Sequence, residues 1–260
     1  MADRDEAVTL ELADRVAVVR FHRPAAMNAV DDAIRSGLVR ALKQLDAGDH
    51  ADAIVLTGSG ERAFCAGQDL EESATVQPGN LAGWLNRQHA MYQAVRDVSK
   101  PIVAALNGTA VGAGFQMALM CDLRVAHPGI RMGQPEVRAG LASIVGSYLM
   151  SLQIGHSLNQ QLSLTGELIS GERAHTIGLV NELVPPDQVL ERALQRAREL
   201  AALPRTAFRL TKQRFRERTQ AGFEEACTAG IRYQLECYAS GEPARVMEEF
   251  LARRQRKEMQ

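Results

Sequence analysis

The chain has 260 residues, of which 46% are hydrophobic and 23% charged. That balance fits a globular protein with a sizeable core, as one large domain or two modest ones, and excludes disordered and fibrous classes. The formal net charge of -1 excludes a broad, sequence-independent attraction to nucleic acid or to an anionic membrane.

Cys65, Cys121, Cys227 and Cys237 form no CxxC pair and no Cys/His cluster of zinc-site spacing, which points to free thiols in a reducing compartment. The acidic N-terminal stretch lacks the basic-then-apolar layout of a signal peptide, and no apolar run is long enough to span a bilayer. The expectation is a cytoplasmic protein.

In chain order, residues 8–12 and 15–21 are Val- and Leu-rich runs joined by Ala13-Asp14 and read as a hairpin, followed by turn chemistry at His22-Arg23-Pro24. Ile34, Leu38, Ala41, Leu42 and Leu45 form one helical stripe, with Asp31 or Asp32 available as a cap. Residues 52–57 read as a buried strand. A loop of small residues follows over 58–69, then an irregular region near Pro78, then a helix through Met91, Tyr92, Val95 and Val98 that Pro101 ends.

Residues 102–106 read as a strand, 107–112 as a turn, the apolar run to Cys121 as a buried helix, and 122–126 as a strand. Alternation of strand and helix argues for an α/β core with crossover connections. Beyond about residue 145 the pattern is mostly helical. One stripe runs through Leu190, Leu194 and Ala197, Pro204 opens a helix at its first position, and Phe223, Cys227, Ile231, Leu235 and Tyr238 mark a third. This tail is expected to pack on the core or on a neighbouring subunit.

Two segments share a layout in which a strand enters a small-residue turn that opens toward a helix: Leu56 to Asp69, and Ala104 to Phe115. Such turns expose backbone N–H groups that can serve a developing oxyanion, or they simply allow close packing. Gly112-Ala-Gly-Phe-Gln-Met lacks the third glycine of GxGxxG, and no phosphate loop, GxSxG elbow or His-Glu-x-x-His occurs. Dinucleotide, NTP, serine-nucleophile and zinc chemistries are thereby disfavoured. Glu136, directly after Pro135, reads equally as a helix-start charge or a base.

Seven segments carry a resemblance: Arg23-Pro-Ala-Ala-Met-Asn-Ala29, Ile54-Val-Leu-Thr-Gly58, Ala63-Phe-Cys-Ala-Gly-Gln-Asp69, Lys100-Pro-Ile-Val-Ala-Ala-Leu-Asn-Gly108, Gly112-Ala-Gly-Phe-Gln-Met-Ala-Leu-Met-Cys-Asp122, Gly133-Gln-Pro-Glu136 and Gly178-Leu-Val-Asn181. In this order the chain resembles the enoyl-CoA hydratase/isomerase (crotonase) superfamily from about residue 10 to 251. The resemblance implies an α/β fold with a ββα spiral core over 1–195 and a helical C-terminal trimerisation region over 196–260. It also implies a homotrimer or dimer of trimers, and acyl-CoA substrates. Coenzyme A is then part of the substrate, and no metal or redox cofactor is implied; neither a nucleic acid nor a membrane is expected as a partner.

Carried over residue by residue, the resemblance makes the backbone N–H groups of Gln68 and Ala113 the oxyanion hole for a thioester oxygen. Ala113 replaces a more usual glycine, but the donor is the amide itself. Ala25, Ala26, Ala66, Gln68, Asp69, Leu70, Glu71 and Gly112 would lie along the CoA thioester, with Asp69 also capping a helix. Arg23, Arg253 and Arg254 are candidates for the CoA phosphates.

Hydratases of this family carry two catalytic glutamates, whereas this chain has Gln116 and Glu136 at those positions. An amide cannot exchange a proton as a carboxylate does. The expectation is therefore double-bond isomerisation with Glu136 as the single acid/base, Gln116 holding water, acyl group or Glu136, or only filling the wall. Hydration by Glu136 alone is the alternative, followed by a non-catalytic acyl-CoA-binding or RNA-binding relative. His89 stands at the histidine position of the aroyl-CoA dehalogenase branch, but Ile144 stands where that branch has its nucleophile, so His89 reads as an ordinary helix residue. The acyl pocket wall is expected from residues 76–88 and 143–148, where Trp84 and Tyr148 could line it or simply pack.

Overall fold

The computed structural model describes residues 7–249; Arg253 and Arg254 lie outside the described residues. The hairpin forms as expected, with β1 (Val8–Ala13) antiparallel to β2 (Val16–Phe21). Next come α1 (Asp32–Ala47), β3 (Ala53–Gly58), β4 (Ala63–Cys65), α2 (Leu70–Ala74) and α3 (Pro78–Asp97). Asp31 caps α1 by accepting from the Ile34 amide at 2.9 Å. The loop expected over 58–69 therefore contains a strand. Three residues are too few to show a period, yet Ala63, Phe64 and Cys65 are all buried.

The chain continues through β5 (Ile102–Leu106), β6 (Thr109–Val111), α4 (Ala113–Met120), β7 (Leu123–Ala126), β8 (Arg131–Gly133) and a 3-10 turn, Glu136–Ala139. β6 occupies what the sequence reading takes as a turn. After α5 (Val145–Ser151) and α6 (His156–Thr165) come β9 (Leu168–Ser170), α7 (Gly171–Thr176) and β10 (Glu182–Leu183), then α8 (Val189–Ala201) and α9 (Arg205–Ser240). Pro204 is the residue before α9 rather than its first residue, and the two expected tail helices are one helix of 36 residues.

The described residues form a six-stranded sheet ordered β1-β2-β3-β5-β7-β10 and a four-stranded sheet ordered β4-β6-β8-β9. Three successive pairs, β3/β4, β5/β6 and β7/β8, each give their first strand to the large sheet and their second to the small one, and helix follows. This is the expected ββα spiral, with parallel pairing β2-β3-β5-β7 in the large sheet.

The continuous apolar strands follow from burial on both faces. On β3 and β5, Ile54, Leu56, Ile102, Ala104 and Leu106 face the main core, which contains Ile34, Leu38 and Leu42 of α1. Ala53, Val55, Val103 and Ala105 face the opposite way, onto Val189, Ala193, Leu194 and Ala197 of α8. The tail packs on the core: Phe223 and Cys227 of α9 join the main cluster, and Tyr148 donates to the Thr219 carbonyl at 2.7 Å. The spiral thus brings β4, β6 and β8 side by side, and α9 packs against α3 and α5.

Candidate active site

Two polar side chains fix the first turn. Asn28, fully buried at φ +56°, donates to the carbonyls of Ser59 and Ala63 at 3.0 and 2.8 Å. Asn107 donates to the carbonyls of Gly58 and Gly60 at 3.0 and 2.6 Å. The turn after β4 is then stitched to residues 27–30: Ala66 N–H donates to Met27 O, Val30 N–H to Gly67 O, and Asp69 N–H to Val30 O. The Gln68 amide lies between these bonds and donates to no described residue.

The second turn is pressed against the first. Gly114 allows it: a Cβ there would come 2.2 Å from the Cys65 carbonyl oxygen. Gly112, at φ +53°, turns the chain out of β6 into α4, and a Cβ on it would sit 3.7 Å from Gly67 Cα and 3.2 Å from Glu136 Oε1. Ala113 begins α4, so its N–H has no intrahelical acceptor, and no other described residue takes it. Gln68 and Ala113 therefore present two free amides to one cavity, where partial charge suited to an oxyanion is already in place.

Glu136 enters the same cavity from the start of the 3-10 turn that follows β8. Burial raises its carboxyl from 4.5 to about 7, against a smaller opposing effect of its own backbone N–H. Beside it, Gln134 is 1% exposed. With its amide nitrogen toward the carboxylate, Gln134 donates to both Glu136 oxygens at 2.5 Å and accepts from Gln116 Nε2 at 3.1 Å. Gln116 Nε2 also lies 3.4 Å from Glu136 Oε1. Gly146 packs directly on the Gln134 amide, since a Cβ there would meet Nε2 at 2.1 Å. Glu136 is the one carboxylate among the described residues lining the cavity.

The remaining wall comes from three elements. Leu81, Trp84, Gln88 and Tyr92 project from α3, Leu141 to Val145 come from the segment that leads into α5, and Gly230, Gln234 and Tyr238 come from α9. Trp84 thus lines this cavity, whereas Tyr148 packs against α9. His89 also lines the cavity, and burial lowers its pKa to about 4, so it is neutral at neutral pH. Arg35, 2% exposed, anchors the Gln68 side chain by donating to its Oε1 at 3.1 Å and is bonded to Glu72, which also accepts from Trp84 Nε1 at 3.0 Å.

The other residues singled out from the sequence, Ala25, Ala26, Ala66, Asp69, Leu70, Glu71 and Gly112, are not among those lining this cavity. Ala25 and Ala26 occupy a 3-10 turn, Pro24–Ala26; Ala66 is bonded to the adjacent Met27; Leu70 and Glu71 begin α2. Asp69 caps α2 through the amides of Glu71 and Glu72, each at 3.0 Å, and accepts from Arg23 at 2.8 Å. Burial alone would raise its pKa, but these donors outweigh that effect and hold it below the ordinary value. Arg23 is consumed by this role: it also reaches Asp31 at 3.2 Å and the Ala29 carbonyl at 2.8 Å. Its charge is already matched by two carboxylates, so it is a brace between the turns rather than a free phosphate ligand.

Sequence reasoning missed the relay through Gln134, the Arg35–Glu72–Trp84 cluster and the contribution of α9. Gln134 had a signal, since it stands inside a quoted motif, but nothing in spacing gave it a partner. Among the described residues no helix is long and apolar enough to cross a membrane, and no cluster of three or more His, Cys, Asp or Glu side chains could hold a metal ion.

Residues 11–258 match the family described as enoyl-CoA hydratase/isomerase. The chain is 30% identical to a short-chain-enoyl-CoA hydratase of Clostridium acetobutylicum, over 95% of each protein. It is 35% identical to an (E)-benzylidenesuccinyl-CoA hydratase of Thauera aromatica, over 79% of this chain and 80% of that one. Among solved structures, an enoyl-CoA hydratase/isomerase of Xanthobacter autotrophicus Py2 superposes with a TM-score of 0.86 at 25% identity, covering 95% of this chain and 93% of that one. The chain belongs to the enoyl-CoA hydratase/isomerase family.

Proposed function

We propose that this enzyme moves the double bond of an unsaturated acyl-CoA thioester, with Glu136 as its single acid/base. The supporting observation is that one carboxylate, poised near pH 7, shares a cavity with two unused amide N–H groups. A 3-enoyl thioester would place its carbonyl oxygen between Gln68 N–H and Ala113 N–H. Glu136 would remove a proton from C2, the electron pair moving into a dienolate whose charge rests on that oxygen. The same carboxyl would return the proton to C4, giving the 2-enoyl thioester. Each amide donor of this kind typically contributes about 10²–10³ in rate, and the positioned base about 10²–10⁴.

In this reading Gln116 is a neutral member of the relay that holds Glu136 through Gln134. Ala25, Ala26, Ala66, Asp69, Leu70, Glu71 and Gly112 flank the path of the CoA moiety, coenzyme A being part of the substrate. Exposed apolar side chains on and before α9, Leu203, Leu210 and Phe215, fit assembly into trimers.

A second reading is hydration of a 2-enoyl-CoA with Glu136 alone, favoured by relatives at 28–35% identity that are named hydratases. Turnover of 2-enoyl- and 3-enoyl-CoA thioesters in heavy water, read by mass spectrometry, separates the two. Isomerisation yields positional isomers with exchanged deuterium and no added oxygen; a product heavier by one water would replace the first reading with the second.

A further inference from the structure

Gln88 lies on α3 at 2% exposure and lines the cavity that holds Glu136. Neither its amide oxygen nor its amide nitrogen has a hydrogen-bond partner among the described residues. Ser143 reaches the same cavity from the segment before α5, and its buried hydroxyl is also without a partner. Buried polar groups are otherwise almost always paired, so two unpaired ones in one wall point at a ligand. The Tyr92 hydroxyl stands beside Gln88, but the amide atoms do not reach hydrogen-bond geometry with it.

We propose that the cavity selects a compact acyl group carrying a neutral hydrogen-bonding function, such as a hydroxyl or carbonyl, received by Gln88 and Ser143. This rests on the reading of the cavity as the acyl-thioester site. Neutrality follows from the lining: it contains no Lys or Arg, and it does contain Glu136. The nearby Arg35 is already engaged by Glu72 and Gln68, so an acyl carboxylate would meet a like charge with no counter-charge. Compactness follows from a volume of about 100 Å³, below the roughly 150 Å³ of a cavity that encloses benzene.

The test is calorimetric binding of saturated thioesters, which needs no turnover. Butanoyl-, 4-hydroxybutanoyl- and succinyl-CoA form one set, and pentanoyl-, 5-hydroxypentanoyl- and glutaryl-CoA the other. In at least one set the hydroxyacyl thioester should bind about tenfold more tightly than its alkyl counterpart, the scale of one well-made hydrogen bond, and the carboxylate should bind most weakly. Gln88→Leu, close in volume, should abolish the preference, and Ser143→Ala should reduce it. Equal binding of hydroxyacyl and alkyl thioesters, a preference that survives both substitutions, or tightest binding of the carboxylates would overturn the inference while leaving the thioester site intact. If none of the six binds, the thioester site itself is refuted and the inference falls with it.

Discussion

Gln134 donates from one amide nitrogen to both oxygens of Glu136, at 2.5 Å each, while its carbonyl accepts from Gln116. A neutral amide pair therefore grips the only carboxylate lining the cavity among the described residues. Donation favours the ionised form and burial favours the protonated one. Burial, opposed by its own backbone N–H, puts the group at about 7, where it can both take and return a proton.

The pH dependence of turnover follows. Removal of a C2 proton needs the ionised carboxylate, so kcat/KM for isomerisation should rise with pH through about 7 and level off above it. A rate already flat between pH 5 and 9 would show that Glu136 is not the base.

Gln134→Leu removes both hydrogen bonds that the amide nitrogen makes to the carboxylate without adding a charge. The rising limb of that profile should move up by about one pH unit, on the scale of a hydrogen bond to a charged group. Gly146→Ala should act in the same direction, because its Cβ would occupy the space of the Gln134 amide. An unmoved limb in both variants would remove Gln134 from the account.

Gln116→Glu places a second carboxyl about 3.4 Å from Glu136. Two like charges at that range cannot both ionise freely, so one is expected to titrate above the other. Hydration of a 2-enoyl-CoA should rise by at least about tenfold as a second proton-transfer group becomes available. Product analysis of the variant checks this directly.

Much of this was legible in the sequence, and the parts that were not have physical reasons. The long strands showed as continuous apolar runs and α1 as a stripe of helical period, because each buries several residues. β4, β6 and β9, of three residues each, are too short for a period and are held by neighbours distant in sequence. Gln68, Ala113, Gln116 and Glu136 were found through the family pattern and meet in one cavity. Gln88, Gln234 and Tyr238 enter that cavity through helix packing, which no local spacing encodes. Asn28, Asn107 and Asp122 stood in the motifs without a role. In the fold they are clips, Asp122 accepting from Ile102 N–H and from Lys212, each at 2.8 Å.

Close approach of the two turns makes Gly114 a stability determinant as well. Gly114→Ala would bring a Cβ to 2.2 Å from the Cys65 carbonyl oxygen, with backbone on both sides of the clash. Overpacking of this kind costs about 3 kcal/mol, read as a lower urea midpoint, and the displaced Ala113 amide should lower turnover further.

Glu136 also imposes a pH dependence on stability. Its folded pKa of about 7 lies above the ordinary 4.5, so between those values the folded state binds more protons than the unfolded chain. Stability from this group is full below about 4.5 and is lost as pH rises through 7. Glu136→Gln, which cannot ionise, should therefore be more stable than the parent at pH 8, by up to about 3 kcal/mol, with little difference at pH 4.5.

The same substitution tests the central claim most directly. Glu136→Gln should retain binding of a CoA thioester while isomerisation falls by about 10²–10⁴, because the oxyanion amides remain and the proton carrier is gone. Turnover left intact in a folded, thioester-binding Glu136→Gln enzyme would contradict the single-base mechanism.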